Sequence, residues 1–129
     1  MILRDEIGAC LTGFDRNDAN TARMAWLFPS GFTGFQGHFT GNPVCPGVCL
    51  IMAQLEAASR LLGRRLDLLE LKNVKFMWPV FPDKRVDGLV QIETLGNAMW
   101  QIKAELRRGQ RRIAKLSLLA KETGKGSVS

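Results

Sequence analysis

The chain has no tyrosine, a single histidine and only three cysteines. Cys10, Cys45 and Cys49 are odd in number and contain no C-x-x-C pair, which argues against a disulfide framework and fits reduced thiols. A Cys-x3-Cys spacing beside one histidine supplies neither a metal-ligand set nor a nucleophile with its base, so Cys45 and Cys49 are expected as small core residues. Long hydrophobic runs are missing too. The longest, around Val44 to Ala53, is far too short to span a bilayer. The amino terminus MILRDEIGAC carries acidic residues where a secretory signal needs a basic patch and an apolar run, so no membrane association and a cytoplasmic location are expected. Acidic residues are in deficit, 12 against 18 lysines and arginines, giving a net charge of +6. Such a balance suits a nucleic acid, an anionic membrane surface or an acidic protein, although a solvated surface is its plainest meaning. No aromatic residues are interleaved with the basic ones for stacking, so nucleic acid is not expected and an acidic partner stays open.

What is present fits one globular domain spanning residues 1–129, with hydrophobic residues at 46% and charged ones at 23%. A chain of this size buries one core, and further apolar surface has to be hidden by oligomerisation. There is no repeat and no internal linker, only a polar tail, KETGKGSVS, of which about residues 122–129 are expected to fray. TARMAWLF (21–28) reads as a strand running into a glycine-rich loop, PSGFTGFQGHFTGNPVCPG. From Pro46 the residues VCLIMAQLEAASRLLG predict a helix of about four turns, with proline in the first turn and Gly63 as the stop. Its apolar residues occur on nearly every side, which predicts burial all round. LLELKNVKFMWPVF (68–81), RVDGLVQIETLG (85–96), AMWQIKAELRR (98–108) and RIAKLSLLAK (112–121) then read as strands, separated by turns at Pro82-Asp83, Gly96-Asn97 and Gly109. The last is helical by propensity, but its position after a short Arg-Gly-Gln turn favours a strand. The expected class is α+β, one buried helix embraced by a curved antiparallel sheet.

Two stretches carry a resemblance. GHFTGNPVCPGV (37–48) is similar to the signature G-H-F-P-G-x-P-x-x-P-G-V of the hot-dog-fold dehydratases that act on 3-hydroxyacyl groups on acyl carrier protein in fatty acid synthesis. LKNVKFMWPVFPDKRV (71–86) resembles the strand and turn that follow the central helix in the same family. The resemblance covers residues 35 to about 90 and implies a hot-dog fold, a homodimer or higher oligomer with sites at its interface, and no metal or organic cofactor. It also implies a thioester substrate on acyl carrier protein or coenzyme A, dehydrated to the enoyl product. The carrier is acidic, and the excess positive charge gives a reason for attraction.

The chemistry needs a base beside the carbonyl, a donor for the enolate oxygen and an acid for the departing hydroxyl. His38 is the candidate base, since a neutral imidazole accepts a proton near pH 7; the plain reading for a lone loop histidine is a hydrogen bond to backbone. The helix start at Gly47 and Val48 offers unpaired N–H groups and the positive end of the dipole, and the resemblance assigns the Gly47 amide to the thioester carbonyl. Phe39, Gly41, Pro46, Val48 and Met52 are the expected substrate-binding positions. The family's acid stands six residues after the proline of P-G-V, and its glutamine four residues further on; here those places hold Met52 and Glu56. Methionine cannot donate a proton. Glu56, one helical turn on, is therefore a candidate relocated acid, acting directly or through water. Alternatively it pairs with Arg60. A third reading gives up dehydration: the chain is a thioesterase using Glu56 or Gln54, or a binder of acyl groups or their carrier without turnover.

Overall fold

The computed structural model describes residues 3–35 and 43–123. The alternation of apolar and polar residues after position 85 produces three long strands, β4 (Val86–Gly96), β5 (Met99–Arg108) and β6 (Arg111–Glu122). Val86, Val90 and Ile92 of β4, Ile102 and Leu106 of β5, and Leu116 and Leu118 of β6 are all buried, as the two-residue period of a strand with one core face requires. β3 (Leu66–Phe76) pairs with β6, and β2 (Thr21–Trp26) with β4. With β1 (Leu11–Asp18) the sheet has the order β1-β2-β4-β5-β6-β3, and every neighbouring pair is antiparallel.

The long helix α2 (Gly47–Leu62) packs against this curved sheet. Ala53, Ala57 and Ala58 let it approach closely, while Leu50, Leu55 and Leu61 fill the space between. Each such leucine contributes roughly 1.5–3 kcal/mol by leaving water. The helix ends at Gly63, whose φ of 81° is the left-handed conformation that glycine adopts freely, and the Gly63 N–H donates to the Ser59 carbonyl at 2.8 Å. The expected helix, the four strands after it and the turns at Asp83, Gly96-Asn97 and Gly109 are all present; β6 is a strand, as its short preceding turn implied.

Several expectations need correction. The strand at 21–28 stops at Trp26, and the one expected at 68–81 starts at Leu66 and stops at Phe76, before Pro79 can interrupt its hydrogen bonds. The helix is not buried on all sides. Val48 is 59% exposed and Arg60 is exposed, while Ile51, Met52 and Glu56 are half-buried, because sheet and neighbouring helix cover only part of its circumference. Two elements had not been read from the sequence. α1 (Leu3–Gly8) is too short for a periodic pattern and is held by the burial of Arg4 and Ile7. β1, LTGFDRND, is poor in strand formers and mostly exposed, and exists through its pairing with β2. Of the expected frayed tail, residues 124–129 lie outside the described residues. No helix among the described residues is long and apolar enough to cross a membrane.

Candidate active site

The described part of the candidate site begins with the first turn of α2. Pro46 precedes it with φ −61° and ψ 148°, an extended conformation that brings the chain in without a capping side chain. The Pro46 carbonyl accepts from the N–H groups of Cys49, at 3.0 Å, and Leu50, at 3.3 Å. The N–H groups of Gly47 and Val48 have no partner among the described residues. They leave two donors at the positive end of a four-turn helix, an arrangement suited to an oxyanion.

This turn is locked to the segment after β3. The Cys45 N–H donates to the Val80 carbonyl at 2.8 Å, and the Phe76 ring lies against Gly47. A Cβ on residue 47 would stand 2.7 Å from Phe76 Cε2 and 2.9 Å from Cζ, so any larger residue there would displace the ring. The two stretches that carry the family resemblance are thus in contact, although about thirty residues separate Gly47 from Phe76 in the chain.

His38, Phe39 and Gly41 lie outside the described residues, which resume at Pro43. Pro46, Gly47 and Met52 are half-buried, and Val48 is exposed. Glu56 is half-buried one turn beyond Met52, and its partner is not Arg60. It forms an ion pair with Nε of Arg4, a residue only 5% exposed that projects from α1. The Arg4 guanidinium also donates to Asp67 Oδ1 at 2.8 Å and to Ser59 Oγ at 2.9 Å, which ties α1, α2 and β3 together. Arg60 instead holds its guanidinium 5.9 Å from the centre of the Phe14 ring. A half-buried carboxylate needs a partner, but sequence spacing favoured the residue four positions on, whereas the fold supplied one 52 positions away.

Gln54 is fully buried. Its Nε2 donates to the Leu50 carbonyl at 3.1 Å, and its Oε1 has no partner among the described residues. The three cysteines sit in the same core, as was expected of Cys45 and Cys49. Burial above all, then Glu6 and Cys49, pushes the Cys10 thiol up to about 11; burial also raises Cys45 and Cys49. None of the three is therefore an activated nucleophile. Among the described residues, no group of three or more histidine, cysteine or acidic side chains is arranged to hold a metal ion.

Residues 15–113 match the ApeI dehydratase family, described as ApeI-like. The chain belongs to this ApeI-like dehydratase family. It is 29% identical over 101 residues to the 3-hydroxyacyl-(acyl-carrier-protein) dehydratase FabZ of Caulobacter vibrioides, covering 70% of this chain and 64% of that protein. The FabZ of Caulobacter sp. (strain K31) is 27% identical over 95 residues, covering 67% of this chain and 58% of that protein. The chain thus spans about three fifths of the length of these curated relatives. The dehydratase heterocomplex ApeI:P from Xenorhabdus doucetiae has a chain that superposes with a TM-score of 0.72 at 17% identity, covering 87% of this chain and 96% of that one. A hypothetical thioesterase with coenzyme A from Streptococcus pneumoniae superposes with a TM-score of 0.68 at 11% identity, covering 97% of both chains. At such identities these superpositions establish the hot-dog fold, which both structures share with this member of the ApeI-like family.

Proposed function

We propose that the chain dehydrates a 3-hydroxyacyl thioester to its enoyl product. The observation that carries this reading is the first turn of α2, whose Gly47 and Val48 N–H groups have no partner among the described residues and whose Gly47 lies beside the Phe76 ring, in a member of a dehydratase family. In the proposed reaction the thioester carbonyl accepts from the Gly47 N–H, and His38 removes a proton from the carbon beside that carbonyl. The resulting enolate expels the hydroxyl group, which takes a proton and leaves as water; the imidazolium later returns its proton to solvent.

The donor of the proton to the hydroxyl is where the chain departs from the family pattern. Met52 has no proton to give, so Glu56 is the proposed acid, directly or through a water. Its ion pair with Arg4 favours a second reading, in which Glu56 is structural and the chain binds acyl thioesters without turning them over. An acyl group on acyl carrier protein or coenzyme A suits either reading, and the excess positive charge favours an acidic carrier. We further propose a homodimer. β3 is an edge strand that presents Leu68, Leu69 and Leu71 to solvent, and a second copy would extend the sheet and cover them. Each site would then combine His38 of one copy with Glu56 of the other.

The test is conversion of 3-hydroxyacyl thioesters on acyl carrier protein by the natural protein and by His38→Ala and Glu56→Gln. Loss of about a hundredfold or more is expected in each, the usual contribution of a general acid or base. Co-expression of the two variants should restore part of the activity through mixed dimers with one intact site. Full activity in Glu56→Gln would remove it as the acid. Inactivity of the natural protein, with retained affinity for the thioester, would establish the binding reading.

A further inference from the structure

We infer that Phe76 is a specificity-determining wall that restricts the substrate to acyl groups unbranched at the carbon next to the thioester carbonyl. This rests on the proposed role of the Gly47 amide. The ring edge of Phe76 is packed against Gly47 so closely that even a methyl group on that residue would overlap it. A carbonyl oxygen accepting from the Gly47 N–H stands about 2.9 Å from the nitrogen. The carbon next to the carbonyl is two bonds from that oxygen, and the inference places it beside the ring edge. A CH2 group there fits beside a flat ring, whereas a methyl branch needs space the ring occupies.

The backbone that carries the ring is held in place. Phe76 ends β3 opposite Ala114 of β6, and the next residue, Met77, donates its N–H to the Ile113 carbonyl at 2.8 Å. The Trp78 ring is covered by the Arg111 guanidinium at 3.8 Å, and the Cys45 to Val80 hydrogen bond closes the segment onto the helix start. Yet Phe76 is 47% exposed, so its outward side remains open to a bound molecule. A ring carried by a fixed backbone beside Gly47 and open on its other side is suited to act as a wall that selects by shape.

The experiment compares 3-hydroxybutyryl and 2-methyl-3-hydroxybutyryl thioesters of pantetheine as substrates for the natural protein, Phe76→Leu and Phe76→Ala, with circular dichroism to verify folding. The natural protein should prefer the unbranched substrate in kcat/KM by about ten- to two-hundredfold, the range one misplaced carbon commands. That preference should fall about tenfold in Phe76→Ala, through a lower KM for the branched compound, with Phe76→Leu between. Affinities for the matching unreactive thioether analogues, measured by calorimetry, should move in the same order. An unchanged preference and unchanged relative affinities in folded variants would overturn the wall. Should the natural protein turn over neither substrate while Phe76→Ala gains affinity for the branched analogue, the dehydratase reading fails and the wall stands.

Discussion

Arg4 shows how far one side chain can reach in a small fold. Its guanidinium leaves water almost completely, and the cost of that desolvation is offset by Glu56, Asp67 and the Ser59 hydroxyl together. Ser59 in turn donates to the Leu55 carbonyl at 2.7 Å and accepts from the Leu66 N–H at 2.9 Å, so the cluster has few unused bonds. Removing the cation alone leaves Glu56 half-buried without its partner. Arg4→Met should therefore destabilise the chain by about 3 kcal/mol. Adding Glu56→Gln should recover part of that loss, because the stranded charge is removed with it. Urea unfolding of the two single variants and the double variant reads the coupling; strictly additive losses would mean that the pair is not an energetic unit.

At the scale of the element, the β4–β5 hairpin shows a local conflict between residue and conformation. Gly96 pairs with Met99, leaving Asn97 and Ala98 as a two-residue loop with φ of 55° and 62°. Positive φ at both loop positions matches the twist of the flanking strands. Asparagine tolerates it, but alanine carries a Cβ that crowds the following carbonyl oxygen, at a cost of about 1 kcal/mol. Ala98→Gly is therefore expected to stabilise the chain by about that amount, reduced by the extra freedom glycine gives the unfolded state. Thermal unfolding would register a rise of a few degrees; a fall would mean that the alanine makes a contact worth more than its strain. The same elements show what periodicity reveals. β4, β5 and β6 alternate cleanly and were readable, whereas β1 has no apolar face and α1 only six residues, so neither leaves a periodic trace.

For the molecule as a whole, two carboxylates that join distant parts of the chain are expected to contribute to its response to acid. Burial pushes the Asp67 carboxyl up, but hydrogen bonds from Thr123 and Arg65, with the charges of Arg65 and Arg4, outweigh it and hold the group below its ordinary 3.8. The Trp100 indole N–H and then Arg64 hold Glu122 below its ordinary 4.5. A carboxyl depressed in the folded state contributes stability that is fully present above its unfolded value and is lost as pH falls through the folded one. Stability should therefore be flat with respect to these two groups at neutral pH and decline once pH drops below their ordinary values. Unfolding free energies measured from pH 7 to pH 3 should show a shallower decline in Glu122→Gln than in the natural protein. An identical slope would mean that Glu122 is not among the groups responsible.

The sequence by itself determined the class of fold, the helix from Gly47 to Leu62 and the strands after it, because these follow from periodicity, turn residues and two short motifs that need no knowledge of distant neighbours. It also made the helix start a candidate for the site, since the Gly47 and Val48 amides at a helix N-terminus have no intrahelical partner. The tertiary structure alone decided what those elements face. That Glu56 meets Arg4 rather than Arg60, that Phe76 closes on Gly47 and that the helix leaves one side open are contacts between residues far apart in the chain. No local pattern encodes such contacts; they arise when the sheet curves around the helix and the polar groups it buries must find partners.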